Sequence, residues 1–185
     1  MRYVAIFLIV VMMSGCGKGD RNIDRVLAFR QKLLNGNGCV FYCEIVADYG
    51  ENLYTFGMDC SVDQNGNLDF TVKEPDSISG ITGQISGAQA HLTFDDQVLL
   101  FEMMADGQVT PVSAPWLLMK ALRSGYISAC SSGDQDVQLH IQDSYEEDAL
   151  LLDINLSTGF IPESAQIVFD GRRILSLRVE NFKIL

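Results

Sequence analysis

The apolar positions of this chain change period along its length, and each period marks a different kind of segment. Tyr3 to Met13 is an unbroken apolar run of 11 residues, preceded by Arg2 and followed by Ser14 and Gly15. In Asn22 to Leu34, Ile23, Val26, Leu27, Leu33 and Leu34 fall on one helical stripe. Asn22 is placed to cap its start and Asn35-Gly36 to end it. The period then drops to two. Cys39, Phe41, Cys43 and Ile45 alternate with other residues, as do Tyr54, Phe56, Met58, Cys60 and Val62, and then Leu68, Phe70 and Val72. Such segments predict strands with one dry face and one wet face.

Alternation also predicts register. A two-residue Asn-Gly turn between Val62 and Leu68 would oppose apolar with polar positions. A three-residue loop, Gln64-Asn65-Gly66 with Gly66 at positive φ, instead sets Val62 against Leu68 and Cys60 against Phe70. The preceding pair matches faces if Ile45 opposes Tyr54, Cys43 opposes Phe56, Phe41 opposes Met58 and Cys39 opposes Cys60. In that register Cys39–Cys60 is a candidate disulfide, which leaves Cys43 and Cys130 as a second bridge or as buried thiols.

Further along, the glycines at 80, 83 and 87 read as turns and strand bends, and His91–Phe94 with Gln97–Met103 reads as a hairpin about Asp95-Asp96. Pro111 to Gly125 predicts a second helix, with Ser113 or Ala114 at its cap and Pro115 in its first turn. Its residues Trp116, Leu117, Leu118, Met119 and Leu122 are apolar on more sides than one packed face requires. Strands centred on Val137–Ile141, Leu150–Leu156, Ala165–Phe169 and Ile174–Ile184 follow. A phase slip near Glu180-Asn181 predicts a bulge in the last.

The leading run is shorter than the roughly 20 residues that a spanning helix needs, so it reads as an export signal. Met13-Ser14-Gly15-Cys16 resembles a bacterial lipobox. On that reading residues 1–15 are a signal peptide, Cys16 carries lipid, residues 16–21 are a tether and 22–185 form one domain. At least two acyl chains, each buried methylene contributing about 0.8 kcal/mol, make a durable anchor. Beyond residue 15 the chain has 12 Lys+Arg against 24 Asp+Glu, a formal charge of −12. That balance argues against nucleic acid and against lying flat on anionic lipid headgroups.

Candidate chemistry is sparse. His91 and His140 lie apart, on the polar phase of their strands, and no CxxC occurs, so no metal site is predicted. Asp63-Gln-Asn-Gly-Asn67 lacks the closing glutamate of a calcium loop. The glycine-rich stretch has no following lysine to make a phosphate cradle. Glu146-Glu147-Asp148 reads as a solvated loop. No catalytic residue and no cofactor is predicted.

Several stretches together carry a family likeness: Asn67-Leu-Asp-Phe-Thr-Val-Lys-Glu-Pro75, Leu92-Thr-Phe-Asp-Asp96, Ser113-Ala-Pro-Trp-Leu-Leu118, and Gly159-Phe-Ile-Pro-Glu163 running on to Ile174-Leu-Ser-Leu-Arg-Val-Glu-Asn-Phe182. In this order, from residue 22 to the end, the chain resembles the LolA-like superfamily of lipoprotein carriers and lipid-binding lipoproteins. A clostridial spore-germination lipoprotein that partners a cell-wall amidase shares that architecture. The resemblance implies an α+β, mostly antiparallel β fold. It is a strongly curved half-open β-barrel with an N-terminal and a mid-chain helix over the concave face.

The resemblance also implies a membrane-anchored extracytoplasmic lipoprotein, on the outside of a bacterial cell membrane, binding lipid or an acylated protein. The expected cleft is lined by Phe41, Phe56, Met58, Phe70, Trp116, Leu117, Met119 and Leu122. The alternative is an interaction lipoprotein with a filled cleft that holds an envelope enzyme or forms a homodimer.

Overall fold

The computed structural model describes residues 21–185 except 88, 95–96, 103, 106–107, 133–135 and 145–148. The signal segment, Cys16, most of the tether, the Asp95-Asp96 turn and Glu146-Glu147-Asp148 lie outside the described residues. Helix α1 (Arg21–Asn35) comes first, then β1 (Gly38–Asp48), β2 (Leu53–Asp63), β3 (Leu68–Glu74), β4 (Thr82–Ser86), β5 (Gln89–Phe94) and β6 (Gln97–Phe101). Two short strands, β7 (Met104–Ala105) and β8 (Gln108–Val109), lead to helix α2 (Ala114–Ser124). The chain ends with β9 (Tyr126–Ser132), β10 (Asp136–Gln142), β11 (Leu151–Ser157), β12 (Pro162–Phe169) and β13 (Arg172–Ile184).

Eleven strands form one curved, unclosed antiparallel sheet in the order β6-β5-β4-β3-β2-β1-β13-β12-β11-β10-β9. The fold is the half-open barrel expected, with β6 and β9 as its edges among the described residues. Most neighbours in the sheet are also neighbours in sequence. The β1–β13 pairing is the long-range one, and it joins the two halves.

The bulged hairpin forms as the alternation requires. Gly66 has φ 89°, Val62 opposes Leu68 and Cys60 opposes Phe70. Asp63 fastens the turn, its Oδ1 accepting from the N–H groups of Asn65 and Asn67 at 2.8 Å each. The late bulge is also present: Tyr42 pairs with Glu180 but Val40 pairs with Lys183, and Asn181 takes φ 57°.

The β1–β2 register differs by two residues from the expected one. Cys39 opposes Val62, Phe41 opposes Cys60, Cys43 opposes Met58 and Ile45 opposes Phe56. Both strands run on to Asp48 and Leu53, so the loop is tighter than the alternation alone implies. A slip of two keeps every side chain on its face, and burial cannot distinguish the two registers. Cys39 and Cys60 therefore become diagonal neighbours, typically ~7–8 Å apart, wider than the ~5.5–6 Å of a usual bridge. Among the described residues, Cys39, Cys43, Cys60 and Cys130 form no disulfide.

Both helices lie against the apolar face of the sheet. On α1 the buried stripe is Val26, Phe29 and Leu33, while Leu27 and Leu34 stay largely exposed, a slight rotation from the expected stripe. Phe182 stacks on Phe41 at 5.6 Å and meets Phe29 at 6.3 Å, which fixes α1 over the β1–β13 seam. The helices also cap each other's C-termini. Arg30 Nε donates to the Leu122 carbonyl at 2.8 Å, and its Nη2 donates to Gly125 at 2.9 Å and Ala121 at 3.3 Å. In return, Arg123 donates to the Leu33 carbonyl at 3.3 Å and to Gln64 at 2.7 Å. Guanidinium groups at helix C-termini satisfy orphan carbonyls and complement the dipole. Ser113 does not cap α2; its hydroxyl donates back to the Thr110 carbonyl at 2.6 Å.

Candidate functional site

The eight expected cleft residues come together, but as core. Phe41, Phe56, Met58 and Phe70 point inward from β1, β2 and β3, and Trp116, Leu117, Met119 and Leu122 descend from α2. All are buried in one continuous cluster, and Trp116, the most accessible of them, is only 9% exposed. The apolar excess of α2 is explained by its depth: Ala114 to Met119, Ala121 and Leu122 are all buried. These helix side chains pack against the inward residues of β1, β2 and β3 in one cluster.

Burial also decides the cysteine chemistry. Loss of solvation pushes the Cys39 thiol up to about 12 and raises those of Cys43 and Cys60 as well. At neutral pH these are protonated, unreactive thiols.

Cavities lie elsewhere. A recess of about 450 Å³ opens beside the helix ends, lined by Ile23, Leu27 and Tyr126 together with Arg30 and Asp143. Arg30 is committed to the carbonyls of α2. Asp143 accepts from the Leu150 N–H at 2.9 Å and pairs with Lys120 at 3.6 Å. A larger groove of about 700 Å³ lies on the opposite, polar face of the sheet, over β1 to β5.

The most conspicuous apolar surface is at a sheet edge. On β6, Val98, Leu99 and Leu100 are 62%, 61% and 85% exposed, and Phe94 beside them on β5 is 53% exposed. Since β6 ends the sheet among the described residues, one row of its backbone donors and acceptors faces no described strand. Natural edge strands usually carry charge or proline to prevent pairing. Gln97-Val-Leu-Leu-Phe101 carries neither.

No protein-family model and no curated protein matches the chain. Solved structures do. A LolA superfamily protein from Nitrosomonas europaea is 12% identical, covers 88% of this chain and 93% of its own, and gives a TM-score of 0.47. The lipoprotein LppX of Mycobacterium tuberculosis is 10% identical, covering 89% and 96%, at a TM-score of 0.42. A chain of the complex between the CwlD amidase and the GerS lipoprotein of Clostridioides difficile is 10% identical, covering 91% and 98%, at 0.42. The superfamily expected from the sequence is among them. At these identities no residue role is carried over from any of the three.

His91 and His140 both lie on the polar face. His140 Nδ1 meets Asp153 Oδ1 at 2.5 Å across the β10–β11 pair, and its backbone carbonyl accepts from the Ser128 hydroxyl at 3.0 Å. In sequence, the exposed run at 98–100 looks the same as core. An apolar triplet without alternation fits a doubly buried strand equally well, and only the strand order reveals that β6 is an edge among the described residues.

Proposed function

We propose that this chain is a non-catalytic interaction lipoprotein, anchored through Cys16 outside a bacterial cell membrane. It associates through the β6 edge, in the first instance with a second copy of itself. The observation that carries the reading is the exposure of Val98, Leu99 and Leu100 on the strand that ends the sheet among the described residues.

The strand is self-complementary. Two copies of β6 paired antiparallel about Leu99 put Val98 opposite Leu100 of the second copy, so both apolar faces stay in phase. Such pairing adds backbone hydrogen bonds and removes apolar surface from water at about 25 cal/mol per Å². The formal charge of −12 beyond residue 15 opposes it, so association strengthens as salt screens the repulsion. An envelope enzyme offering a strand edge would use the same surface. A lipid, or the acyl group of a modified protein, asks for space that Trp116, Leu117 and Met119 occupy.

Sedimentation of residues 21–185 in low and high salt tests the proposal. A dimer that tightens with salt, and that Leu99→Asp weakens by about a hundredfold, is expected. A monomer under both conditions would overturn self-pairing.

A further inference from the structure

The groove on the polar face is a built surface, and nothing in the proposed edge docking uses it. Strand pairing resolves its floor into two rungs. One runs Tyr42–Asp59–Thr71–Thr82–Thr93 and the other Val40–Ser61–Asp69–Gln84–His91, each crossing β1 to β5. Four inter-strand gaps of about 4.8 Å make the floor about 19 Å long. Its volume of about 700 Å³ falls in the range of ligand clefts.

Tyr42 is set at one end in an unusual way. A Cβ added at Gly57 would overlap the Tyr42 hydroxyl and lie 2.8 Å from its Cζ. The ring therefore leans across the neighbouring strand instead of standing off the sheet, and only glycine leaves room for that. Farther along, Gln84 Nε2 donates to Asp69 Oδ1 at 2.8 Å, which holds a planar amide and a planar carboxylate side by side. Asp59 is paired with Lys73 at 3.2 Å.

The geometry points to a site for an uncharged oligosaccharide strand laid across β1 to β5, with Tyr42 as its stacking platform and the Asp69–Gln84 pair reading its hydroxyls. Sugar C–H groups suit the negative face of an aromatic ring. A carboxylate and an amide together offer the acceptors and donors that vicinal hydroxyls need. At the Tyr42 end, anionic ligands are disfavoured by the negative charges of Glu44, Glu74, Glu180 and Asp59, which act on the phenol, while Lys183 is the one cation among the described lining residues. An extended peptide gains little here, because β1 to β5 have their main chains paired on both sides.

The test titrates the full chain, in micelles of a detergent without a sugar headgroup, with the hexamers of N-acetylglucosamine and of glucose. Calorimetry reads binding, and thermal melting checks that each variant is folded. Binding of at least one hexamer is expected, weakened about tenfold or more by Tyr42→Ala and by the exposed Gln84→Ala. The site is refuted if neither hexamer binds at about 10 mM, a level that would detect even a Kd near 1 mM. It is equally refuted if binding survives both substitutions, or if a basic peptide displaces the sugar.

Discussion

Replacing Trp116 by alanine separates a packed core from a roofed cleft. As a wall of an open cleft, Trp116 would contact ligand or water, and its removal would cost the folded protein less than about 1 kcal/mol. As core, truncation of a buried aromatic costs about 3–5 kcal/mol, because apolar contact is lost and the cavity does not fully collapse. Trp116 is 9% exposed, and the Lys120 ammonium sits 5.4 Å from its ring centre, so its outer edge touches solvent. That places the expected loss near the lower bound, about 3 kcal/mol, a large share of the ~5–15 kcal/mol that holds a domain together. With a urea slope of about 2 kcal/mol per molar, the midpoint falls by about 1.5 M. Circular dichroism is the suitable probe, since Trp116 is the only tryptophan. A midpoint shift under about 0.5 M with an unchanged slope would refute the packed arrangement.

Asp63 links the β2–β3 turn to pH. Partial burial opposes its charge, but hydrogen bonds from Asn67, Asn65 and Gly66 outweigh this and hold its carboxyl below the usual 3.8. Depression of the folded value means the turn's contribution is complete above 3.8 and fades as pH falls through that lower value. Asp63→Asn should thus destabilise at pH 7 and converge with wild type in acid; melting curves that stay parallel at all pH values would contradict this. Native alkylation with iodoacetamide at pH 8 should spare Cys39, Cys43 and Cys60 and modify the half-buried Cys130 first. Peptide mapping that finds a Cys39–Cys60 disulfide would contradict the register. Finally, Cys16→Ala should release the chain from the membrane fraction of the producing cell, and retention there would remove the anchor from the proposal.

Much of the fold was legible because period-two alternation carries face information directly. The Gln64-Asn65-Gly66 loop and the slip at Glu180-Asn181 followed from keeping apolar faces matched, and both are present. The same logic failed on β1–β2, where two registers preserve every face and the choice rests on how far Ala47 and Asp48 extend the strand. Short strands with weak alternation were harder. In β4 the inward positions are Gly83 and Ile85, and glycine gives no apolar signal; it read as a bend, yet a Cβ there would strike the Phe70 ring. β9 shows no clean alternation in sequence because a register shift opposite His140/Ile141 places its inward residues Ile127 and Cys130 three apart.

The site was less legible for a reason of scale. Phe41, Met58 and Trp116 look alike in sequence whether they line a cleft or fill one, and only the fit between α2 and the sheet decides. The groove floor was invisible because its residues are ordinary polar positions on five separate strands. Their meeting depends on register, which no single segment contains.

Native mass spectrometry of residues 21–185, exported by the producing cell and gently purified, tests the central claim most directly. The account predicts a dimer without copurified lipid, reduced to monomer by Leu99→Asp. A monomer carrying one tightly held lipid, released on unfolding, would contradict it.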